Sequence, residues 1–437
     1  MVAGAAGGSE VSAVMTAAER FEKLPMFDIR VGLERTEKLA AAVGNPERKL
    51  RFLHLAGTNG KGSTGAMLEC ALRRCGFCTG FYTSPHLVDV RERFRIDGRA
   101  VAPAELDAAA DELAEVSKEI GASYFEFATV LALMLFARAK TDVVVWETGM
   151  GGRLDATNIV VPAAAIISNI AFDHQKYLGN TLAAIAGEKA GILKPGAPVF
   201  TGIMPEEPEA VFRRRAAELG ISHFALSAAA VPPLGRFAEV EGRVCQCFDY
   251  EGIPVALPLL GGMQRRNFLL AAEVLKYFAP RWGFDFRRAL GELRHTRWPA
   301  RFQRLGERLI IDGGHNPDGI AALRAALGEI LPGKKLAVVY GAFADKEVRP
   351  SLAALAELAS VFYFTPLAAE GRPSRGAEEL GALVAPSGVP YHAAPNAPEA
   401  VRRALAETDG AVLVAGSLYM AGEVLAEFAP ESVFDLV

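Results

Sequence analysis

Lys61 stands in Gly57-Thr58-Asn59-Gly60-Lys61-Gly62-Ser63-Thr64, a run of small residues carrying one cation. Small residues let backbone N–H groups approach phosphate oxygens, and a helix starting behind them adds a favourable dipole. Lys61 offers a point charge to the outer phosphates, and Ser63 or Thr64 offers a hydroxyl for Mg²⁺. The spacing departs from the common G-x-x-x-x-G-K-[ST] loop, because the first glycine is closer and Gly62 separates Lys61 from Ser63. Its setting still favours a phosphate cradle. Phe52, Leu53 and Leu55 read as a strand end, and Met67, Leu68 and Leu72 continue a helical period after Ser63. The plainer alternative, a glycine-rich turn with a solvated lysine, leaves the strand–turn–helix layout unexplained.

Ligands of open α/β sheets bind beyond the carboxyl ends of strands. Three further polar residues fall at such ends: Ser84 after Phe81–Thr83, Glu147 after the apolar run 143–146, and His174 beyond the run 163–168. A hydroxyl, a carboxylate and an imidazole beside a phosphate cradle make an Mg²⁺ shell, since Mg²⁺ takes few protein ligands and completes its octahedron with water and phosphate. Glu147 is the strongest member, because a carboxylate ending an apolar run needs a metal or a base role to explain it. His174 reads equally as a hydrogen-bonded structural residue. Lys189, next to Glu188, has the pattern of an exposed helix pair. Later in the chain, Asp312-Gly-Gly-His315-Asn316-Pro317 follows another strand. It either caps a helix through Asn316 or faces the first site across a cleft.

These residues need a scaffold. Continuous apolar strands separated by helices predict a parallel sheet covered on both faces. Helices are expected over Val11–Leu24, Arg30–Leu39 (or an ordered loop), Pro103–Ile120, Tyr124–Lys140, Thr181–Ile192 and Gln264–Phe278. Short alternating runs between Ser227 and Leu259 predict an antiparallel hairpin appended to this first unit. Arg297–Arg301 reads as a hinge, after which strands over 309–312, 336–341, 361–365 and 411–415 restart the alternation. The expectation is an α/β chain: a P-loop parallel-sheet ATPase domain with a small antiparallel appendage over 1–297, then a smaller Rossmann-like α/β domain over 298–437.

Composition narrows the field. The chain has 437 residues, half of them hydrophobic, and a formal net charge of -4, which points to neither a nucleic-acid footprint nor a membrane surface. Five cysteines in a chain this long do not form a disulfide framework, and Cys75-x-x-Cys78 lacks a second pair, so free thiols are expected. Met1–Glu10 has no basic and apolar regions of a signal peptide, and the apolar stretch 131–137 is too short to span a bilayer. A cytoplasmic protein is expected.

Taken together, Leu55–Ser63, Thr83-Ser-Pro-His86, Glu147-Thr-Gly-Met-Gly-Gly-Arg-Leu-Asp-Ala-Thr-Asn158, Asp173-His, Glu188-Lys-Ala-Gly-Ile, Trp298-Pro-Ala-Arg301, Asp312-Gly-Gly-His-Asn-Pro and Gly416-Ser-Leu-Tyr resemble the folylpolyglutamate synthase/dihydrofolate synthase family of Mur-type ligases, in family order along nearly the whole chain. The resemblance implies an ATP-dependent ligase joining L-glutamate to a folate carboxylate, and a monomer with no nucleic-acid or membrane partner is expected. It implies that Thr58, Asn59, Gly60, Lys61, Gly62 and Ser63 hold ATP, with Asn267, Arg301 and Asp312 contacting it from across the cleft. It implies Mg²⁺ on Ser84, Glu147 and His174, a second metal shared by Ser63, and a carbamylated Lys189. Ser123, Tyr124, Phe125 and Glu126, with Leu154, Asp155 and Ala156, match pterin-binding stretches, and His315 and Ser417 match the glutamate side. Met263 stands where many members have histidine, and Gly314 where alanine is common. Dihydropteroate is the competing acceptor, making dihydrofolate. A cell-wall Mur ligase needs an N-terminal domain for which about fifty residues are too few. A nucleotide-gated interaction protein would not need the metal shell.

Overall fold

The computed structural model describes Thr16, residues 32–368 and residues 372–437. The helix expected over Val11–Leu24, Thr16 apart, and the segment Met1–Glu10 lie outside the described residues. The helix expected over Arg30–Leu39 is described from residue 32 on and spans Glu34–Ala42.

The first sheet has eight strands: β1 (Phe52–Ala56), β2 (Thr79–Tyr82), β3 (Phe94–Ile96), β4 (Arg99–Ala100), β5 (Val143–Glu147), β6 (Pro162–Ile167), β7 (Val199–Thr201) and β8 (His223–Ala225). Their order is β4-β3-β2-β5-β1-β6-β7-β8. From β2 to β8 every pairing is parallel, while β3 and β4 close one edge antiparallel. The central strands β1 and β5 are buried at every position, as a sheet covered on both faces requires. One covering layer is the helix Tyr124–Ala139, apolar all round and packed with Phe52, Tyr82 and Trp146 in one cluster. The other includes the helices Lys61–Arg74 and Gly262–Trp282.

The expected hairpin is a three-stranded antiparallel sheet, β9 (Arg236–Val240), β10 (Arg243–Tyr250) and β11 (Ile253–Leu257). It sits on the Gly262–Trp282 helix through Phe248 and Tyr250, whose rings lie 4.9 and 5.3 Å from Phe268. The second large sheet orders β12 (Gln303–Leu305), β13 (Leu309–Ile311), β17 (Val412–Ala415), β14 (Leu336–Tyr340), β15 (Ala359–Phe364) and β16 (Tyr391–Ala393). All its pairings are parallel except β12 with β13. Separate apolar clusters cover its two faces. The short strands β3, β4, β8, β12 and β16 were not expected from the sequence: each has only two or three residues, below the length at which period-two patterning is readable.

Several contacts besides the covalent connection join the two lobes, two of them at the edge of the first sheet. Leu87 and Val88, from the loop after β2, pack against the second sheet's cluster. The segment 433–436 lies along the first sheet's β3–β4 edge, where Ala100 N–H donates to Phe434 O and Leu436 N–H to Gly98 O. Buried Arg95 donates to the Phe434 carbonyl at 3.0 Å.

Candidate active site

The carboxyl ends of β1, β2, β5 and β6 face the start of the helix Pro317–Ile330 and the Arg297–Arg301 segment. Between them lies a polar cavity of about 280 Å³. Its lining includes Thr58–Ser63, Ser84, Glu147, His174, Lys189, Asn267, Arg301, Asp312 and His315, so residues spread over 258 positions converge on one space. A second cavity of about 430 Å³ adjoins it. Ser84, Gly149, Met150, His174, His315 and Leu418 line both. Ser123, Tyr124, Phe125, Glu126, Leu154, Asp155, Ala156 and Ser417 line this larger, more apolar space.

The cradle forms because Gly60 adopts φ +87° at the N-cap of the Lys61–Arg74 helix. A Cβ there would meet Asn267 Oδ1 at 2.5 Å, so glycine is required on both counts. Thr58 N–H donates to Asn169 O and Asn59 N–H to Asn169 Oδ1. Both are therefore taken up inside the protein. The N–H groups of Lys61, Gly62 and Ser63 open the helix without intrahelical acceptors and face the cavity as an anion site. Ser63 Oγ accepts from Gln264 Nε2 at 3.3 Å, and Gln264 Oε1 accepts from Asn267 Nδ2 at 3.0 Å, which ties the cradle to the helix 262–282.

Lys61 and Lys189 both donate to Gly57 O, each at 3.1 Å. Lys189 is buried, not the exposed helix-pair member that its pattern suggests, because its helix packs Ile185 and Ala186 into the core beneath β1 and β6. Burial, with Lys61 as a like-charged neighbour, lowers its ammonium pKa to about 7. Glu147, also buried, has its pKa raised by desolvation to about 7 despite Lys61 Nζ at 3.8 Å. His174 is half-exposed and takes φ +49°, a left-handed conformation uncommon without glycine. Desolvation lowers its pKa to about 4, which leaves the imidazole neutral.

This donor set fits Mg²⁺. A dry carboxylate whose pKa burial raises even with Lys61 at 3.8 Å gains from a divalent ion, a neutral imidazole can ligate, and Ser84 adds a hard oxygen. Among the described residues no group of three or more His, Cys, Asp or Glu is placed to hold a metal ion. Mg²⁺ needs only a few protein ligands and takes the rest from water and phosphate.

Other expected site residues also serve the scaffold. Asp312 is buried, and its oxygens accept from Phe302 N–H and Gly314 N–H, both at 2.8 Å, which holds Arg301 over the cavity between the left-handed Ala300 and Phe302. Asp155 accepts from Met150 N–H at 2.8 Å and Thr157 N–H at 3.0 Å, so it shapes the turn between the cavities. Ser123 and Glu126 form a reciprocal capping box, and Arg35 pairs with Glu126 at 3.0 Å. Ser417 caps the helix Leu418–Phe428 by accepting Tyr419 N–H. His315 Nδ1 lies 3.0 Å from Gly313 O, with Asp173 3.7 Å from Nε2.

Four cavity residues escaped sequence reasoning. Arg93, in the charged run 91–95, is only 4% exposed; its Nε donates to His86 Nδ1 at 2.9 Å, and its guanidinium lies over Tyr124. Tyr177 rims the larger cavity, and Lys346 and Arg372 reach it from the second sheet. Nothing in their local spacing marks them: Arg93 ends the single 3-10 turn Val90–Arg93, Tyr177 sits in the one-turn helix Gln175–Leu178, and Lys346 and Arg372 lie in loops.

Two tandem lobes, a phosphate cradle on one and an acid-rich strand-end turn on the other, define a nucleotide-dependent ligase of the Mur type. Family models agree: residues 55–275 match the Mur ligase middle domain and 300–418 the Mur ligase glutamate ligase domain. The chain belongs to the folylpolyglutamate synthase/dihydrofolate synthase family. It is 32% identical over 408 residues to the folylpolyglutamate synthase of Lacticaseibacillus casei, covering 88% of this chain and 92% of that one. It is 36% identical over 414 residues to a probable bifunctional folylpolyglutamate synthase/dihydropteroate synthase of Haloferax volcanii, covering 92% of this chain but only 49% of that longer protein. The Mycobacterium tuberculosis folylpolyglutamate synthase structure with ADP superimposes with a TM-score of 0.83 at 28% identity, covering 92% of this chain and 95% of that one. The Yersinia pestis bifunctional folylpolyglutamate synthase/dihydrofolate synthase complexed with AMPPNP and Mn ion gives 0.80 at 31%, covering 94% and 98%.

Proposed function

We propose that the chain is an ATP-dependent ligase that adds L-glutamate to the γ-carboxylate of a (tetrahydro)folate through an acyl phosphate and releases ADP and phosphate. One observation carries this reading. The polar cavity beside Lys61 and the apolar cavity beside Tyr124 share a wall at Ser84, His174 and His315, so a terminal phosphate and an acceptor carboxylate meet there.

The acceptor carboxylate oxygen attacks the γ-phosphorus, and the bond to ADP breaks. The glutamate amine then attacks the acyl carbon, phosphate leaves with the C–O electron pair, and the amine gives up a proton. Both steps bring anions together, so fixed cations carry most of the catalytic burden. Lys61 neutralises the outer phosphates, and Arg301 approaches from the second lobe. Mg²⁺ bound by Ser84, Glu147 and His174 would polarise the transferred phosphoryl group, with Ser63 available to a second ion. Lys189, whose amine is neutral above about pH 7, is suited to add CO₂ as a carbamate, giving that shell a further oxygen anion. His315 receives the amine proton. Arg93, Lys346 and Arg372 offer their charges to carboxylates of acceptor and glutamate, while Phe125 and Tyr124 face the acceptor's rings. Closure of the two lobes keeps water from the acyl phosphate.

Dihydropteroate, the dihydrofolate synthase substrate, would occupy the same larger cavity. Assaying glutamate-dependent ADP release with tetrahydrofolate and with dihydropteroate, with mass spectrometry of products, tests the reading. Release with neither acceptor overturns it. The described residues contain no helix long and apolar enough to cross a membrane. We place the chain in the cytoplasm as a monomer, its site lined by residues of both its own lobes. Sedimentation and cell fractionation check these two points.

A further inference from the structure

Asn59 lies two residues before Lys61, yet its side chain bonds to Asn316 and Asp318 of the second lobe. Its Nδ2 donates to Asn316 Oδ1 at 3.2 Å, and Asn316 Nδ2 donates back to Asn59 Oδ1 at 3.0 Å. This reciprocal amide pair crosses between the lobes. The orientation is fixed from the Asn316 side, because the same Oδ1 accepts Gly319 N–H at 2.8 Å as the cap of the helix Pro317–Ile330. The pair sits in a wider mesh. Asp318 Oδ2 receives Asn59 Nδ2 at 2.8 Å and Asn169 Nδ2 at 3.2 Å. Asp173 Oδ2 receives Asn316 Nδ2 at 3.2 Å, and its other oxygen holds Lys346 Nζ at 3.1 Å. The Asn59 backbone is fixed as well: its N–H donates to Asn169 Oδ1 and its carbonyl accepts from Ser168 Oγ at 2.6 Å. Every donor of Asn59 is therefore engaged by protein, and none is left for a phosphate.

Resting on the ligase reading above, we propose that Asn59 is a positioning residue that latches the phosphate cradle to the second lobe through Asn316, rather than a nucleotide ligand. The latch makes the cradle's geometry and the placement of His315 and Lys346 one mechanical unit, since Asn316 adjoins His315 and shares Asp173 with Lys346. Two rigid parts joined by a directional amide pair hold the closed arrangement that acyl transfer needs, whereas the cradle's own N–H groups suffice for binding ADP.

The test compares Asn59→Ala, Asn316→Ser and the double variant; the serine keeps the helix cap while removing the amide. ADP affinity with Mg²⁺ is read by calorimetry, turnover by glutamate-dependent ADP release, and lobe closure by small-angle X-ray scattering with MgADP. Melting temperatures confirm folding, and Asn59→Ser replaces Asn59→Ala if the latter unfolds. Each single variant should lower kcat about tenfold, the scale of two lost amide hydrogen bonds, raise KM for glutamate, and enlarge the radius of gyration. ADP affinity should stay within about threefold, and the double variant should lose clearly less than the product of the two single losses, because both remove the same amide pair. An Asn59→Ala protein with ADP binding weakened about tenfold or more, beside an unaffected Asn316→Ser protein, overturns the proposal. So does additivity in the double variant. Scattering and ADP binding need no turnover, so they report on the latch even if the wild-type chain fails with both acceptors, a result that would overturn the ligase reading instead.

Discussion

The two cavities are built on different principles. The polar one depends on the first sheet: β1, β5 and β6 deliver the cradle, Glu147 and His174, and the second lobe adds Arg301 and Asp312 from above. The apolar one has no owner. Tyr124 and Phe125 come from a helix start, Leu154–Ala156 from a turn, and Phe343, Lys346, Arg372 and Ser417 from the second lobe. A cradle of backbone N–H groups at strand and helix ends is rigid before any ligand arrives. A cavity assembled at the junction of two lobes keeps its shape only while they stay together. This contrast predicts that damage to the first cavity abolishes chemistry, while damage to the second changes recognition.

The largest effect should follow from Lys61→Ala and Glu147→Gln, each expected to lower glutamate-dependent ADP release by about 10²–10³ or more. Wild-type turnover in either would erase the distinction between the cavities. Arg93→Met comes next. Its buried guanidinium bonds to His86 and lies over Tyr124 in the wall of the larger cavity, so its loss should raise acceptor KM by about 10–100-fold, the scale of a hydrogen bond to a charged group. ADP binding, measured by calorimetry, should be unchanged; if it weakens equally, the cavities are not separable.

A smaller effect concerns pH. Burial disfavours protonated Lys189, so its amine is charged below about pH 7 and neutral above it. Only the neutral amine takes up CO₂. Activity in bicarbonate-depleted buffer should fall when pH drops from 8 to 6, and added bicarbonate should restore it most near and above 7; a bicarbonate-independent profile would remove the carbamate. The least effect is expected from the Cys75→Ser, Cys78→Ser double variant. Both thiols are free and lie outside both cavities. Stability should change by about 0.5 kcal/mol or less on urea unfolding, with turnover intact.

Legibility followed the same division. Thr58–Ser63, Ser84, Glu147 and His174 could be found because a parallel sheet places successive strand ends on one edge, so a local pattern implies a shared location. Lys189 was misread from its neighbour Glu188: helix periodicity shows which residues share a face but not how deeply the face is buried. Arg93 was passed over inside a charged run that the fold buries against His86 and Tyr124.

The sequence alone determined the alternation of strands and helices, the cradle's chemistry and the family, because each rests on residue types at short spacing. Only the tertiary structure decided that Asn59 faces Asn316, that Lys189 shares a carbonyl with Lys61, and that two cavities meet at Ser84 and His315. Those contacts span more than a hundred residues, set by how helices pack on the first sheet and how the two sheets dock, and no local periodicity encodes that packing.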